Sequence, residues 1–403
     1  MVSIIGVGTG IDMMTIRATE LIEKAQVIIG ASRIIDSYQQ YIETKDKKIF
    51  REYDAKEIKR IIEDYNGANI VILVSGDTGF YSLSDSLCKE IRECEVVPGI
   101  SSVNAFFAKL KLPWQDAALV SVHGRNKNIV DIVRRNRRTF ALTGNNISEI
   151  ANRLIEAGYD SLKVFVGSNL DSENELIECV RVSELLNKAY DNLTVLLIIN
   201  EEPDASVRSG ISDEEFIRGD VPMTKSEVRA TIISKLNIKP NEVCYDIGAG
   251  TGSVTVEMAL SAWEGSVIAI EKKTEGVELI KSNLKKFHIG NTKVLCGEAT
   301  EVLNAKADEA GLVNNELPVA DVAFIGGSDG HLREIIMLLL ERNPKVRIVV
   351  SAIALETLMR AMETFKELEI ETEITQLNVS KNKGVAGLNL MMANNPVYII
   401  KGL

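Results

Sequence analysis

Short runs of β-branched and leucine residues recur along this chain, each followed by a stretch whose apolar positions return every three or four residues. Unbroken apolar runs mark buried strands and the 3.6-residue period marks amphipathic helices, so the alternation predicts an α/β fold with mostly parallel sheets. In the first half strands are expected at VSIIGVG, QVIIGA, NIVILVSGD, ALVSVHG, TFALTG, LKVFVGSN and LTVLLIIN. In the second half they are expected at EVCYDIGAG, GSVIAIEKK, TKVLCGEA, ADVAFIGGS and VRIVVSAIA, closed by a pair near ETEITQLNVSK and NPVYIIKG.

A polar, acidic stretch broken by Pro203, Gly210, Gly219 and Pro222 separates the two series. Two domains are therefore expected, 1–202 and 222–403, joined by a linker at 203–221; the 403 residues exceed what one core usually spans. Thr224 and Glu227 have capping-box spacing, and Val228, Ile232 and Leu236 would share one helix face.

With 45% apolar and 26% charged residues the chain is expected to pack as a globular protein. A formal charge of -11 argues against a nucleic-acid partner, and no apolar run reaches the roughly 20 residues of a membrane span. The scattered Cys88, Cys94, Cys179, Cys244 and Cys296 signal neither zinc nor disulfides, which fits a cytoplasmic location, and no pair of the three histidines has metal-ligand spacing. No metal site is expected.

Two glycine loops carry the candidate chemistry: IIGVGTG near the start and YDIGAGTGSV near the middle. In the second, Asp246 ends a strand, Gly248, Ala249, Gly250, Thr251 and Gly252 form the turn, and a helix follows. Glu271 ends the next strand, where a carboxylate accepts hydrogen bonds from ribose hydroxyls, and Glu298 and Ala299 close a third, where a carboxylate and a backbone N–H suit the edges of an adenine. A dinucleotide site would prefer G-x-G-x-x-G, whereas Ser253 follows Gly252 here.

The stretches PMTKSEVRA, YDIGAGTGSVTVEMA, VIAIEKK, GEATEVL, DVAFIGGSDGHLREI, VSAIALET and LNVSKNKGV resemble the seven-stranded S-adenosylmethionine-dependent methyltransferases. More narrowly, they resemble the decarboxylating precorrin methyltransferases that act at C15 of a corrinoid macrocycle. The resemblance implies that Thr224, the 248–252 loop, Glu271 and Ala299 contact the cofactor. It brings Asp329, in IGGSDG, to where many enzymes of that fold keep catalytic residues. An Asn/Asp-Pro-Pro-aromatic motif is absent there, which argues against amino methylation, and a glycine-rich wall leaves room for a wide, flat substrate.

After the first loop the next strand ends in VIIGASR without an acidic residue, so a ribose acceptor is not expected. VSGDTGFYS and VVPGISSVNAFFAKLKLPWQDAALVSVHGR supply further strand-end turns instead. These stretches resemble the tetrapyrrole methylase family over roughly 1–200, nearest its C5-methyltransferases, an unrelated α/β fold with two subdomains and the cofactor folded between them. The resemblance points to Gly8, Ser75, Gly76, Asp77, Ser101 and Ser102 as cofactor contacts. Thr9 and Thr78 stand where that family usually has proline.

Together the resemblances imply methylation of a precorrin or cobalt-precorrin at C5 and C15 with decarboxylation of the C12 acetate, one S-adenosylmethionine site per domain, and a homo-oligomer. His123 and Asp77 are further acid/base candidates, and Arg125, Lys225, Arg229, Lys381 and Lys383 are candidates for a polycarboxylate substrate. Met391 and Met392 are expected to face a core or interface. A second reading stays open on the sequence: RNA or protein methylation by 222–403, with the first half a corrinoid-holding scaffold.

Overall fold

The computed structural model describes residues 1–42, 46–123, 127–304 and 317–402. They form two compact units, Met1–Asn126, Asn136–Ala151 and Ser161–Glu201 in the first, and Lys127–Arg135, Asn152–Asp160 and Glu202–Leu403 in the second.

The first unit holds two five-stranded sheets. One consists of β1 (Val2–Gly6), β2 (Val27–Gly30), β3 (Lys48–Arg51), β4 (Ile70–Val74) and β5 (Glu95–Val97), all parallel in the order β3-β2-β4-β1-β5. Its central strands are unbroken apolar runs because helices cover both faces. Ile5, Ile28 and Val71 pack to one side with Ala18 and Ile22, and Ile4, Ile29 and Ile72 to the other with Ile58 and Leu87. The other sheet is mixed, β6 (Ala118–Ser121), β7 (Arg138–Leu142), β8 (Lys163–Ser168), β9 (Leu176–Arg181) and β10 (Thr194–Ile199), in the order β6-β7-β10-β8-β9. β3, β5 and β9 were not expected from the sequence. All three are edge strands, where half-exposed residues dilute the apolar signal.

The second unit is built on a seven-stranded sheet. Its strands are β11 (Val243–Ile247), β12 (Ser266–Glu271), β13 (Thr292–Cys296), β14 (Val322–Ile325), β15 (Arg347–Ala352), β16 (Thr372–Leu377) and, after a separate hairpin of β17 (Ser380–Val385) and β18 (Leu388–Ala393), β19 (Val397–Gly402). The order is β13-β12-β11-β14-β15-β19-β16, with β19 antiparallel to both neighbours. The α/β class read from the alternation holds. The chain runs outward from β11 to β13 and then reverses to β14 and β15, so the carboxyl ends of β11 and β14 flank a topological switch point, where ligands bind in open α/β sheets. The hairpin lies between the two expected closing stretches and was not expected; among the described residues β17 pairs with β18 alone, and Met391 and Met392 are 67% and 52% exposed, so neither lies in a core.

The acidic stretch expected to be a linker is stitched into the second unit. Ile211 and Phe216 join the core with Val228 and Ile232. Glu257 accepts from the backbone N–H groups of Gly210 at 2.8 Å and Ile211 at 2.9 Å, and the Asn283 side chain accepts from Ile217 N at 2.8 Å. Arg229 closes this knot. Its guanidinium is fully buried, donates to Glu257 Oε1 at 2.5 Å and to the carbonyl of Thr224, and lies 4.6 Å from the Phe216 ring centre. The expectation that Arg229 meets substrate is therefore wrong: burying a guanidinium requires a paired acid, and Glu257 supplies it. The helix Ser226–Leu236 starts without the expected capping box, Lys225 occupying the cap without a side-chain bond. No helix among the described residues is long and apolar enough to cross a membrane.

Candidate functional site

At the carboxyl edge of the seven-stranded sheet lies a cleft of about 610 Å³. The glycine loop after β11 forms its floor, and Thr224, Glu271, Glu298, Ala299 and Asp329 stand around it. Gly248 must be glycine. Its φ is +70°, and a Cβ there would come within 2.7 Å of the backbone of Gly327, so the two loops of the switch point touch backbone to backbone. Gly252 does not line the cleft; it turns the chain into the helix Ser253–Ser261 and packs on Ile280.

Glu271 is 7% exposed and already oriented: Oε2 accepts from Gly250 N and Oε1 from Lys273 N, each at 2.9 Å. A carboxylate has about four lone-pair directions, so acceptor capacity remains for a ligand's hydroxyls. Thr251 lines the cleft, and its buried hydroxyl has no hydrogen-bond partner among the described residues. An orphaned polar atom is costly, and one in a cleft wall is satisfied when a ligand supplies its partner. Asp246, at the end of β11, is wholly buried, which pushes its carboxyl up to about 7, although Thr255 donates to Oδ2 at 2.5 Å. Asp329 sits in left-handed backbone at φ +46° and pairs with Lys272 beside the cleft.

The other basic candidates are not among the cleft residues. Lys225 is 3.8 Å from Asp213, Lys381 pairs with Glu227 at 2.8 Å, and Lys383 lies exposed on β17. Arg125 falls outside the described residues. His288 packs inside the second unit, stacked on Tyr159 at 4.3 Å and bonded to Ala157 O at 2.7 Å.

In the first unit three strand ends converge. Gly8 and Gly76 exchange backbone hydrogen bonds of 3.1 Å, joining the loops after β1 and β4. The loop after β5 closes on them: a Cβ on Gly6 would come within 2.7 Å of Gly99 N, and one on Gly76 within 3.9 Å of Ser101. Both oxygens of Asp77 hold this knot, accepting from Gly79 N at 2.8 Å and Gly99 N at 3.1 Å, so Asp77 acts as a turn former here. Ser101 caps the helix Ser102–Leu110 by accepting from Asn104 N, and Ser75 accepts from Arg33. His123 is exposed in a turn after β6, against Gly144. Thr9 donates to Asp171 Oδ2 at 2.5 Å, and Lys109 pairs with Asp171 at 2.8 Å. Sequence reasoning did not find that link, which joins residues 162 apart.

Residues 215–401 match the family model of the precorrin methyltransferase domain, and residues 1–186 match that of the tetrapyrrole (corrin/porphyrin) methylases. The chain is 40% identical over 199 residues to a protein of Sulfolobus acidocaldarius described as a probable cobalt-precorrin-6B C(15)-methyltransferase (decarboxylating), covering 48% of this chain and 96% of that one. It belongs to the precorrin methyltransferases. A Pyrobaculum calidifontis protein of the same description is 42% identical over 194 residues, 47% of this chain and 94% of that one. Among solved structures, the cobalamin biosynthesis precorrin-6Y methylase of Archaeoglobus fulgidus is 25% identical, with a TM-score of 0.41 over 50% of this chain and 98% of that one.

This precorrin methyltransferase has a second cleft wall that sequence reasoning did not reach. Ser351 near the end of β15 and Ile353 just after it line this wall, and Thr357 and Arg360 line the cleft from the helix Leu355–Glu367. Only the strand-end position of Ser351 was a readable signal. Thr357 and Arg360 need the helix to bring them round.

Proposed function

We propose that this methyltransferase adds methyl groups to C5 and C15 of a precorrin or cobalt-precorrin and removes carbon dioxide from the C12 acetate, within cobalamin biosynthesis. The observation that carries the reading is the cleft in which Gly248, Glu271 and the unpartnered hydroxyl of Thr251 meet at the switch point, in a half matched along nearly its whole length by decarboxylating C15-methyltransferases.

These residues fit S-adenosylmethionine. The bare backbone at Gly248 and Gly250 admits a ligand closely, Glu271 accepts from ribose hydroxyls, Glu298 and Ala299 face an adenine, and Thr251 gains its missing partner. When bound, the group supplies a sulfonium methyl, an electrophile that needs alignment rather than covalent help. The glycine-rich wall at Gly326, Gly327 and Gly330 leaves a flat approach for a macrocycle whose ring nitrogens make the meso carbons electron-rich. The conjugated ring is also the electron sink for decarboxylation.

In the first half the knot of Gly8, Gly76 and Ser101 is the proposed second S-adenosylmethionine site, with Ser75 and Ser102 at its rim; His123 is the candidate base. We also read the protein as cytoplasmic and self-associating. The β17–β18 register puts Val385, Leu388, Leu390 and Met392 on one exposed face, and a lone two-stranded hairpin is marginal in water unless covered.

Anaerobic incubation with a reduced precorrin-6 substrate, with and without cobalt, followed by mass spectrometry tests the whole reading. Two methyl groups gained and one carbon dioxide lost is the expected result. One methyl with decarboxylation would leave the first half a binding domain, and no change with either substrate would sink the corrinoid reading.

A further inference from the structure

Seven arginines lie in 202–403, and six of them have visible employment. Arg208 pairs with Glu215, Arg229 with Glu257, Arg333 with Glu367 and Arg347 with Glu242, while Arg218 and Arg342 donate to backbone carbonyls. Arg360 has no partner among the described residues, yet it lines the cleft, with Nη1 3.9 Å from where a Cβ of Gly330 would stand. Thr357, one turn earlier on the same side of its helix, offers a hydroxyl to the same wall.

The place of this guanidinium in the sheet separates it from the nucleoside end. Glu271 ends β12 and Glu298 follows β13, on one side of the glycine loop; Arg360 belongs to the helix after β15, two strands away on the other side. At about 4.8 Å per strand that is roughly 10 Å from β11, enough to put the cofactor and a second molecule side by side. Of the other charged residues in the lining, Glu271 holds two backbone N–H groups, Lys272 pairs with Asp329, and Lys273 and Glu298 stand with Glu271 at the nucleoside end.

We propose that Arg360, assisted by Thr357, is the anchor for a carboxylate arm of the macrocycle, and that the arm it holds is one the reaction keeps. The proposal rests on the corrinoid reading above. A guanidinium binds carboxylate with paired, charge-assisted hydrogen bonds, which fixes the rim of a flat ring and hence which meso carbon meets the methyl group. The same bond would oppose loss of carbon dioxide from the arm it holds, because the negative charge it stabilises leaves that group in the transition state. The departing acetate therefore lies elsewhere, and Arg360 sets position.

Arg360 is exposed, so its replacement should leave folding intact. In the full-length protein, Arg360→Gln should raise KM for the precorrin roughly 10- to 30-fold at the C15 step, and Arg360→Lys should recover part of the loss. The Kd for S-adenosylmethionine, by calorimetry, and C5 methylation should stay within about twofold of wild type. Three outcomes overturn the proposal. An unchanged KM would show an idle arginine; a weakened S-adenosylmethionine Kd would show that the guanidinium serves the cofactor's own carboxylate; and a raised kcat for decarboxylation would show that it holds the departing arm. A wild-type protein that neither binds nor methylates a precorrin would instead sink the corrinoid reading, and this proposal with it.

Discussion

The loops IIGVGTG and YDIGAGTG align letter for letter at Gly6/Gly248, Gly8/Gly250, Thr9/Thr251 and Gly10/Gly252, yet the chain uses them differently. In the first, the glycines are consumed by protein: Gly6 presses on Gly99, Gly8 pairs with Gly76, and Gly10 abuts Asp171. In the second, Gly248 and Gly252 likewise press on protein, at Gly327 and Ile280, and Glu271 and the Asn283 amide hold the loop, but Gly250 and Thr251 line a cleft. Thr9 is hydrogen-bonded to Asp171, whereas the hydroxyl of Thr251 has no partner among the described residues. A glycine pattern thus specifies close approach, and the neighbouring strand ends decide whether the thing approached is backbone or ligand.

The strongest way to break this comparison is Glu271→Ala. It removes the carboxylate that ties the second loop to β12 and the acceptor proposed for the ribose. S-adenosylmethionine binding at that half is expected to weaken by about 100-fold. Mass spectrometry should then find one methyl added and no carbon dioxide lost; loss of both methylations would show that the halves do not act independently. Next come the glycines themselves. Gly248→Ala should cost about 3 kcal/mol, combining a left-handed φ with a collision against Gly327, and Gly99→Ala about 2 kcal/mol from overpacking against Gly6 and Gly76. Each should lower the thermal transition of its own unit in calorimetry, and a single shared transition would show that the two units unfold together.

How far the sequence revealed these sites follows from the kind of signal each residue carries. Central strands such as Ile70–Val74 are covered on both faces and read as apolar runs, and strand-end residues such as Glu271 and Glu298 take their place from the strand before them. Edge strands are weaker: Leu176–Arg181 is half exposed and mixes Glu178 and Arg181 with its apolar residues. Arg229 was misread because charge in a sequence suggests solvent or substrate, and its partner Glu257 lies on another helix. Arg360 was invisible for the same reason, since only the returning helix after β15 turns it to the cleft.

Asp246 sharpens the comparison further, because Ile4 stands at its position in the first loop. Burial holds the Asp246 carboxyl near 7, against about 4 in an unfolded chain. Between those values the native state keeps a proton that the unfolded state has released. Stability from this group is therefore full below about pH 4 and is lost as pH rises to about 7, a change of about 2 kcal/mol once relaxation of a buried site is allowed for. In Asp246→Asn that fall should vanish from urea titrations of the second unit, while the first unit's pH dependence stays as it was; a persisting slope would assign it to other groups.

The smallest expected effect is also the finest test, a pair of isosteric changes at the aligned threonines. Thr9→Val removes a satisfied hydrogen bond to Asp171, so it should destabilise the first unit by about 1 kcal/mol and slow C5 methylation roughly fivefold, with C15 chemistry unchanged. Thr251→Val removes a hydroxyl that has no partner among the described residues, and replacing an orphaned polar group by a methyl is neutral or stabilising. Its cost should appear only on binding, as a roughly fivefold weaker S-adenosylmethionine Kd at an unchanged or higher Tm. If both variants lose stability and neither loses affinity, the two loops serve the fold alike and the contrast drawn between them fails.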